Sequence, residues 1–217
     1  MGGTTAKCAL VENGRFSVNS VYYVNGYIKG FPIKSAVIDI VEVGSGGGSI
    51  AWIDAQNRLH VGPQSAGSTP GPVCYGRAGT EPTITDANLI LGRLNPENFL
   101  GGEMRLDIGA AKRALAERIA VPLGYAGETG MIEMADGVIS IAIVIMAGAI
   151  RKVSVEHGLD PRDFILFSYG GGGPLHSCAL AHELSIPTVI IPPEPGNFSA
   201  IGMLLADARI DTAKTFV

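Results

Sequence analysis

Four consecutive glycines, Gly170–Gly173, lie between the apolar run "DFILFSY" and the segment "PLHSCALAHEL". Neither a helix nor a strand holds such a run well, since glycine loses more backbone freedom on ordering than any other residue. The run is therefore a connection from a strand to a helix. Pro174 suits the first helical position, where its lack of an N–H costs nothing. One or two glycines would make that turn; four leave room for close approach to the backbone. Ligands of α/β sheets sit beyond the C-terminal ends of strands, where this connection falls. Ligand contact and a plain tight turn are the two readings.

Two further glycine clusters stand near the start. "GGTT" (Gly2, Gly3, Thr4, Thr5) precedes the alternating run "TAKCALV". It is not a helix-cradled phosphate loop, because the lysine and the helix of that motif are absent. Glycines in a hairpin turn can aim successive N–H groups at anionic oxygens, and Thr4 and Thr5 add hydroxyls. A simple β-turn is the alternative. The second cluster, "EVGSGGGS", sets Glu42 ahead of Gly44, Ser45, Gly46, Gly47, Gly48 and Ser49. This loop could meet a phosphate, a metal or a substrate, or Glu42 could face solvent by strand alternation.

Around these loops the pattern begins β-rich and ends α/β. "TAKCALV", the turn "ENG" and "RFSVNSVYYV" read as a hairpin, and "AVIDIVEV" (Ala36 to Val43) as a third strand. "SIAWI" and "LHVG" flank the turn "DAQNR" as a second hairpin. Pro63 to Pro82 is too rich in Gly and Pro for helix or strand and reads as an ordered loop. Thr85 or Asp86 is the expected cap of "TDANLILGRL", with Asp86 and Asn88 otherwise available as site residues. Asp107 caps an amphipathic helix whose Ile108, Ala111, Leu115 and Ile119 share a face, and Pro122 ends it. A buried helix is expected from about Met131 to His157, stopped by Gly158 and Pro161. "PTVIIP" is a strand and "FSAIGMLLAD" a final helix. The strand trio followed by alternating elements predicts a mixed sheet with an antiparallel edge hairpin and helices on both faces, in a ribonuclease H-like layer.

Composition limits the partners. A net charge of -4 with no basic run argues against nucleic acid. Three scattered cysteines suit a reducing cytoplasm better than a disulfide framework. The apolar stretch Val138 to Ile150 is shorter than the ~20 residues of a membrane span, so it reads as a buried helix. Charged residues make up 17% of the chain, below the ~25% usual for soluble domains. Surfaces covered by another body would account for that shortfall. His176, in the first turn after the glycines, is expected to be neutral, as a hydrogen-bond donor or a metal ligand. His60 and His157 read as surface residues, and His182 forms no paired-ligand pattern with His176. No G-x-S-x-G elbow is present.

Taken together, "GGTTAK", "VGSGGGSIAWID", "GPQSAGSTPGPVCYGRAGTEPTITDANLILGRL", "AIRKVSVEHGLDPRDF" and "GGGGPLH" resemble the hydantoinase A / 5-oxoprolinase family over nearly the whole chain. That family includes a subunit of acetone- and acetophenone-type carboxylases. The resemblance implies one ribonuclease H-like half of the sugar kinase, actin and heat-shock chaperone ATPase fold. On it, residues 1–217 are the second nucleotide-binding half, with a Gly/Pro-rich insertion around 44–125 and the N-terminal half absent. Gly2, Gly3, Thr4 and Thr5 map onto the second phosphate loop, and Gly170, Gly171, Gly172 and Gly173 onto the adenosine-side loop.

Three departures accompany the resemblance. The acid that precedes the second loop in the family has no position here, the first phosphate loop is absent, and Ile143 stands where a polar residue is expected. The implied cofactors are ATP and Mg²⁺. The implied partners are the N-terminal half, a hydantoinase B-like subunit and a small-molecule substrate. The implied activity is ATP-dependent opening of a cyclic amide, with ketone carboxylation or a non-catalytic ATP-binding module as alternatives. The isolated chain is expected to turn over little.

Overall fold

A computed structural model describes residues 1–19, 21–24, 30–34 and 37–208. Its centre is one long helix, α3 (Gly127–Val153). Small and branched residues recur along its buried faces: Ala135, Val138, Ala142 and Ala147 are fully enclosed. They pack against α1 (Ile84–Ile90), α2 (Ile108–Leu115) and α4 (Gly173–Leu184). By length and composition α3 could cross a membrane, but half of its most apolar window lies inside the molecule. Ile143 belongs to this core. The helix begins four residues before the expected Met131 and passes through a 3-10 turn at Val155–His157, where Gly158 in the left-handed region ends it.

Among the described residues the strands form short two-stranded ladders, not the expected continuous mixed sheet. β1 (Ala6–Cys8) pairs antiparallel with β8 (Val41–Val43). β2 (Val11–Glu12) and β3 (Arg15–Phe16) close a hairpin over Asn13-Gly14, both at positive φ, which suits the "ENG" turn. The expected strand "RFSVNSVYYV" breaks into β3, β4 (Val18–Asn19) and β5 (Tyr22–Val24). β6 (Phe31–Ile33) pairs with β5, and β7 (Val37–Ile38) pairs with β4. The expected strand 36–43 is likewise split into β7 and β8, and its first residue, Ala36, lies outside the described residues. Val18, Phe31, Ile33 and Ile38 stay exposed, so little apolar burial holds these pieces to one straight ladder.

β9 (Ser49–Ile53) and β10 (Leu59–Ser65) form the second hairpin. β10 runs through Pro63 into the segment expected to be loop, with a register shift between Val61 and Ser65 that accommodates the proline. β11 (Ile165–Phe167) crosses over through α4 to a parallel partner, β12 (Thr188–Ile190), and α5 (Phe198–Leu205) follows. The architecture is a mixed α/β one.

One helix cap and one buried-face assignment differ from expectation. Thr83, not Thr85 or Asp86, caps α1: its extended backbone frees its hydroxyl to accept from the Asp86 amide, while Asp86 accepts from the Thr83 amide. Asp107 caps α2 as expected, but Ile108 is 39% exposed while Ala111, Leu115 and Ile119 are buried, because the first turn lies beyond the core.

Asp86 also ties the proline-rich loop to the core. Fully buried, it accepts from the amides of Val73 (3.2 Å), Cys74 (2.8 Å) and Thr83 (2.9 Å) and from the Thr83 hydroxyl (2.8 Å). Removing the carboxylate strands these donors, at a cost of about 1–3 kcal/mol for a buried unpaired group. Asp86→Ala should lower unfolding free energy by roughly 3 kcal/mol in urea titration, and a loss under about 1 kcal/mol would show that water replaces the carboxylate there.

Candidate functional site

The three glycine clusters, far apart in sequence, meet in the structure. The turn at Gly2–Thr5 is closed by the Gly2 amide donating to the Thr5 carbonyl at 3.0 Å. Beneath it lies the 44–49 loop: Gly47 and Gly48 donate to the carbonyls of Gly2 (3.0 Å) and Gly3 (2.7 Å). A β-carbon on Gly46 would overlap the Thr4 backbone, so only glycine permits this approach. The loop is fastened from α1, whose Thr85 amide and hydroxyl both donate to the Gly47 carbonyl at 2.8 Å.

Gly170–Gly173 approaches the same turn from the other side. Met1 donates to the Tyr169 carbonyl at 3.0 Å, and Gly172 donates to the Met1 carbonyl at 3.1 Å. Gly170, at φ 88°, is pressed so close to Met1 that any side chain would collide.

The clusters differ in what they leave available. In the 44–49 loop the amides of Ser45, Gly46, Gly47, Gly48 and Ser49 all donate within the chain. Gly2, Gly3 and Gly171 are exposed, and a β-carbon on any of them would meet nothing within 4 Å. Among the described residues, the amides of Gly3, Thr4 and Gly171 donate to no protein acceptor. Local geometry therefore demands glycine at 46 and 170 but not at 2, 3 or 171. Both loops contribute to the lining of a cavity of about 950 Å³.

Glu42 stands apart from this convergence. It is exposed on β8, opposite Lys7 in register and 3.5 Å from its ammonium. Sequence reasoning allowed this solvent-facing alternative.

His176 is 1% exposed on the first turn of α4, with Nε2 3.4 Å from the Asn88 amide nitrogen. Burial, then the charges of Arg93 and the Met1 nitrogen, lower its pKa to about 4, so the ring is neutral. Its Nδ1, the Asn88 Oδ1 and the Ser45 hydroxyl are buried without a hydrogen-bond partner among the described residues. Among the described residues, no group of three or more His, Cys, Asp or Glu side chains is placed to hold a metal ion. His60 is half-exposed, stacked on Trp52 and 2.8 Å from Asp54, whose carboxyl it holds below the usual range. His157 is exposed. The Asn88–His176 pair spans 88 positions, and no local signal announces it. The Thr85–Gly47 clasp was equally hidden.

The comparisons with known proteins decide the family. The Hydantoinase/oxoprolinase family model matches residues 1–212. The chain belongs to that family. It is 42% identical to the caprolactamase subunit alpha of Pseudomonas jessenii, over 99% of this chain and 30% of that protein. It is also 42% identical to the acetophenone carboxylase gamma subunit of Aromatoleum aromaticum, over 95% of this chain and 27% of that one. Among solved structures, nucleotide-free acetone carboxylase superposes with a TM-score of 0.84 at 32% identity, covering 95% of this chain and 28% of that chain. The ATP-dependent caprolactamase superposes at 0.83 and 41% identity, covering 95% and 29%. The chain thus spans under a third of each of these relatives.

Two substitutions test this geometry. Gly46→Ala should destabilise the fold by roughly 2 kcal/mol or more through backbone collision, and neutral stability would refute the packing. Because folded His176 resists protonation down to about pH 4 whereas an unfolded histidine takes a proton near 6.5, stability should fall as pH drops through that window. The loss should approach about 3 kcal/mol. In urea titrations from pH 7.5 to 4, His176→Gln should lack this component, and an identical pH dependence would refute the buried neutral state.

Proposed function

We propose that this chain is the second nucleotide-binding half of an ATP-dependent enzyme subunit that opens a cyclic amide. The observation that carries the reading is the availability of the Gly3, Thr4 and Gly171 amides beside glycines that the fold itself does not require. Open backbone donors at two facing turns suit the oxygens of a polyphosphate, which needs N–H groups at close range. Gly2–Thr5 acts as a phosphate loop and Gly170–Gly173 as the adenosine-side loop. The 44–49 loop supports the first from behind, since its amides are engaged. The Gly/Pro-rich region around 44–125 is an insertion in this half.

ATP dependence in the caprolactamase and acetone carboxylase relatives supports the cofactor. In this reading the chain's own residues position the phosphates and neutralise charge on the transferred group, which is most of what a protein contributes to phosphoryl transfer. The acceptor is a carbonyl or enolate oxygen. The described residues do not fit Mg²⁺ well: Glu42 is ion-paired and Asp86 takes four hydrogen bonds. An N-terminal half and a hydantoinase B-like subunit complete the enzyme, and the 217-residue chain alone turns over little.

A carboxylase reading has one observation in its favour. Identity to the acetophenone carboxylase subunit equals that to the caprolactamase subunit. Both readings share an ATP-activated carbonyl or enolate oxygen and differ in what attacks or is attacked next.

In the full-length assembly, ATP hydrolysis should rise at least several-fold with a lactam, hydantoin or 5-oxoproline. Stimulation by acetone or acetophenone with bicarbonate instead would select the carboxylase, and no stimulation by any of them would sink both readings. Gly3→Val and Gly171→Val should each weaken ATP-analogue binding about tenfold or more with little change in thermal stability. Unchanged affinity would make these loops structural turns.

A further inference from the structure

A buried side-chain pair ties together the two helices that support the glycine loops. α1 holds the 44–49 loop through Thr85, and that loop carries the Gly2–Thr5 turn. α4 begins at Gly173, the last of the second glycine cluster, and its Ser177 hydroxyl donates back to the Gly173 carbonyl at 2.9 Å. Asn88 stands about one turn after Thr85 on α1, and His176 directly precedes Ser177 on α4. Their side chains meet at 3.4 Å, and they are only 2% and 1% exposed.

The surroundings of the pair fix how it bonds. The Asn88 amide nitrogen lies 3.1 Å from the Ile84 carbonyl, which can only accept, so nitrogen and not oxygen occupies that position. The same nitrogen can only donate to His176, so Nε2 supplies a lone pair and the ring proton sits on Nδ1. This arrangement leaves one buried donor, Nδ1–H, and one buried acceptor, Asn88 Oδ1, without a partner among the described residues. Unpaired polar groups in a core cost free energy, and two apolar side chains of similar shape would avoid that cost. Stability therefore does not account for the pair. Its directional bond between two loop-bearing helices does.

We propose that His176 is a positioning residue of the nucleotide site: by accepting from Asn88 it holds α4 to α1 and fixes the spacing between Gly170–Gly173 and the Gly2–Thr5 turn. The inference rests on the reading of those loops as ATP-binding. His176 itself is enclosed and acts through the loops alone. A residue that keeps an acceptor where Nε2 stands should keep the spacing, and one that only fills the volume should not. The terminal amide oxygen of glutamine reaches that position; asparagine, one methylene shorter, falls short of it.

The test measures ATP-analogue affinity and thermal midpoint in the full-length assembly. Combined Asn88→Leu and His176→Leu should weaken affinity about fivefold or more while the midpoint holds or rises. His176→Gln should stay within about twofold of the native affinity, whereas His176→Asn should lose about fivefold or more. If the double variant fails to fold, the contrast between glutamine and asparagine decides. Native affinity in a folded double variant, or equal affinities in the glutamine and asparagine variants, would overturn the proposal. Gly3→Val and Gly171→Val give the reference. If they weaken binding and the His176 series does not, the positioning role alone falls. If they too leave binding unchanged, the ATP reading falls and this inference falls with it.

Discussion

Backbone stacked directly on backbone organises this molecule. Gly46 lies against Thr4 with no room for a β-carbon, and the amides of Gly47 and Gly48 hold the carbonyls above them. That contact sets the Gly2–Thr5 turn at a defined height over the core. It depends in turn on Thr85, which clamps the Gly47 carbonyl twice, and on Asp86 beside it, which gathers the proline-rich loop. Hydrogen bonds of this kind contribute about 1 kcal/mol each when made and cost more when a buried donor is left alone. The turn is thus built on polar contacts that tolerate little change, while its Gly3 and Thr4 amides donate to no acceptor among the described residues.

The glycines divide by physical role. Those at 46 and 170 are required by close approach to Thr4 and Met1. Those at 2, 3 and 171 face open space, and no packing contact among the described residues requires them. A glycine cluster in a sequence does not distinguish these roles, since both appear as the same letter. Only the neighbours supplied by the fold separate a packing glycine from one that leaves room for a ligand.

Much of the local structure was legible. The ENG hairpin turn, the Asp107 cap, Pro174 at the head of α4 and the Gly158 stop each rest on chemistry within a few residues. The α1 cap lies two or three residues before its expected place, because Thr83, Thr85 and Asp86 are all competent caps and only the buried Asp86 network selects among them. The continuous sheet was misread for a related reason. Alternation marks a residue as strand-like, but not which strand it joins, and β1 found its partner at Val41–Val43 instead of across the ENG turn. The neutral state of His176 was expected from its place in a helix's first turn, but burial is its main cause, and its enclosure beside Asn88 had no local signal.

The amino-acid sequence by itself determined the family, the α/β class, the helix periodicities and the three glycine loops, because these are carried by residue chemistry at short range. The tertiary structure alone decided that the three loops converge, that one serves as support, and that β1 and β11 line one cavity. Those facts arise from packing around α3 between segments as far apart as Met1 and Tyr169. No local preference encodes such a meeting, since it is the shared core that brings these segments within reach.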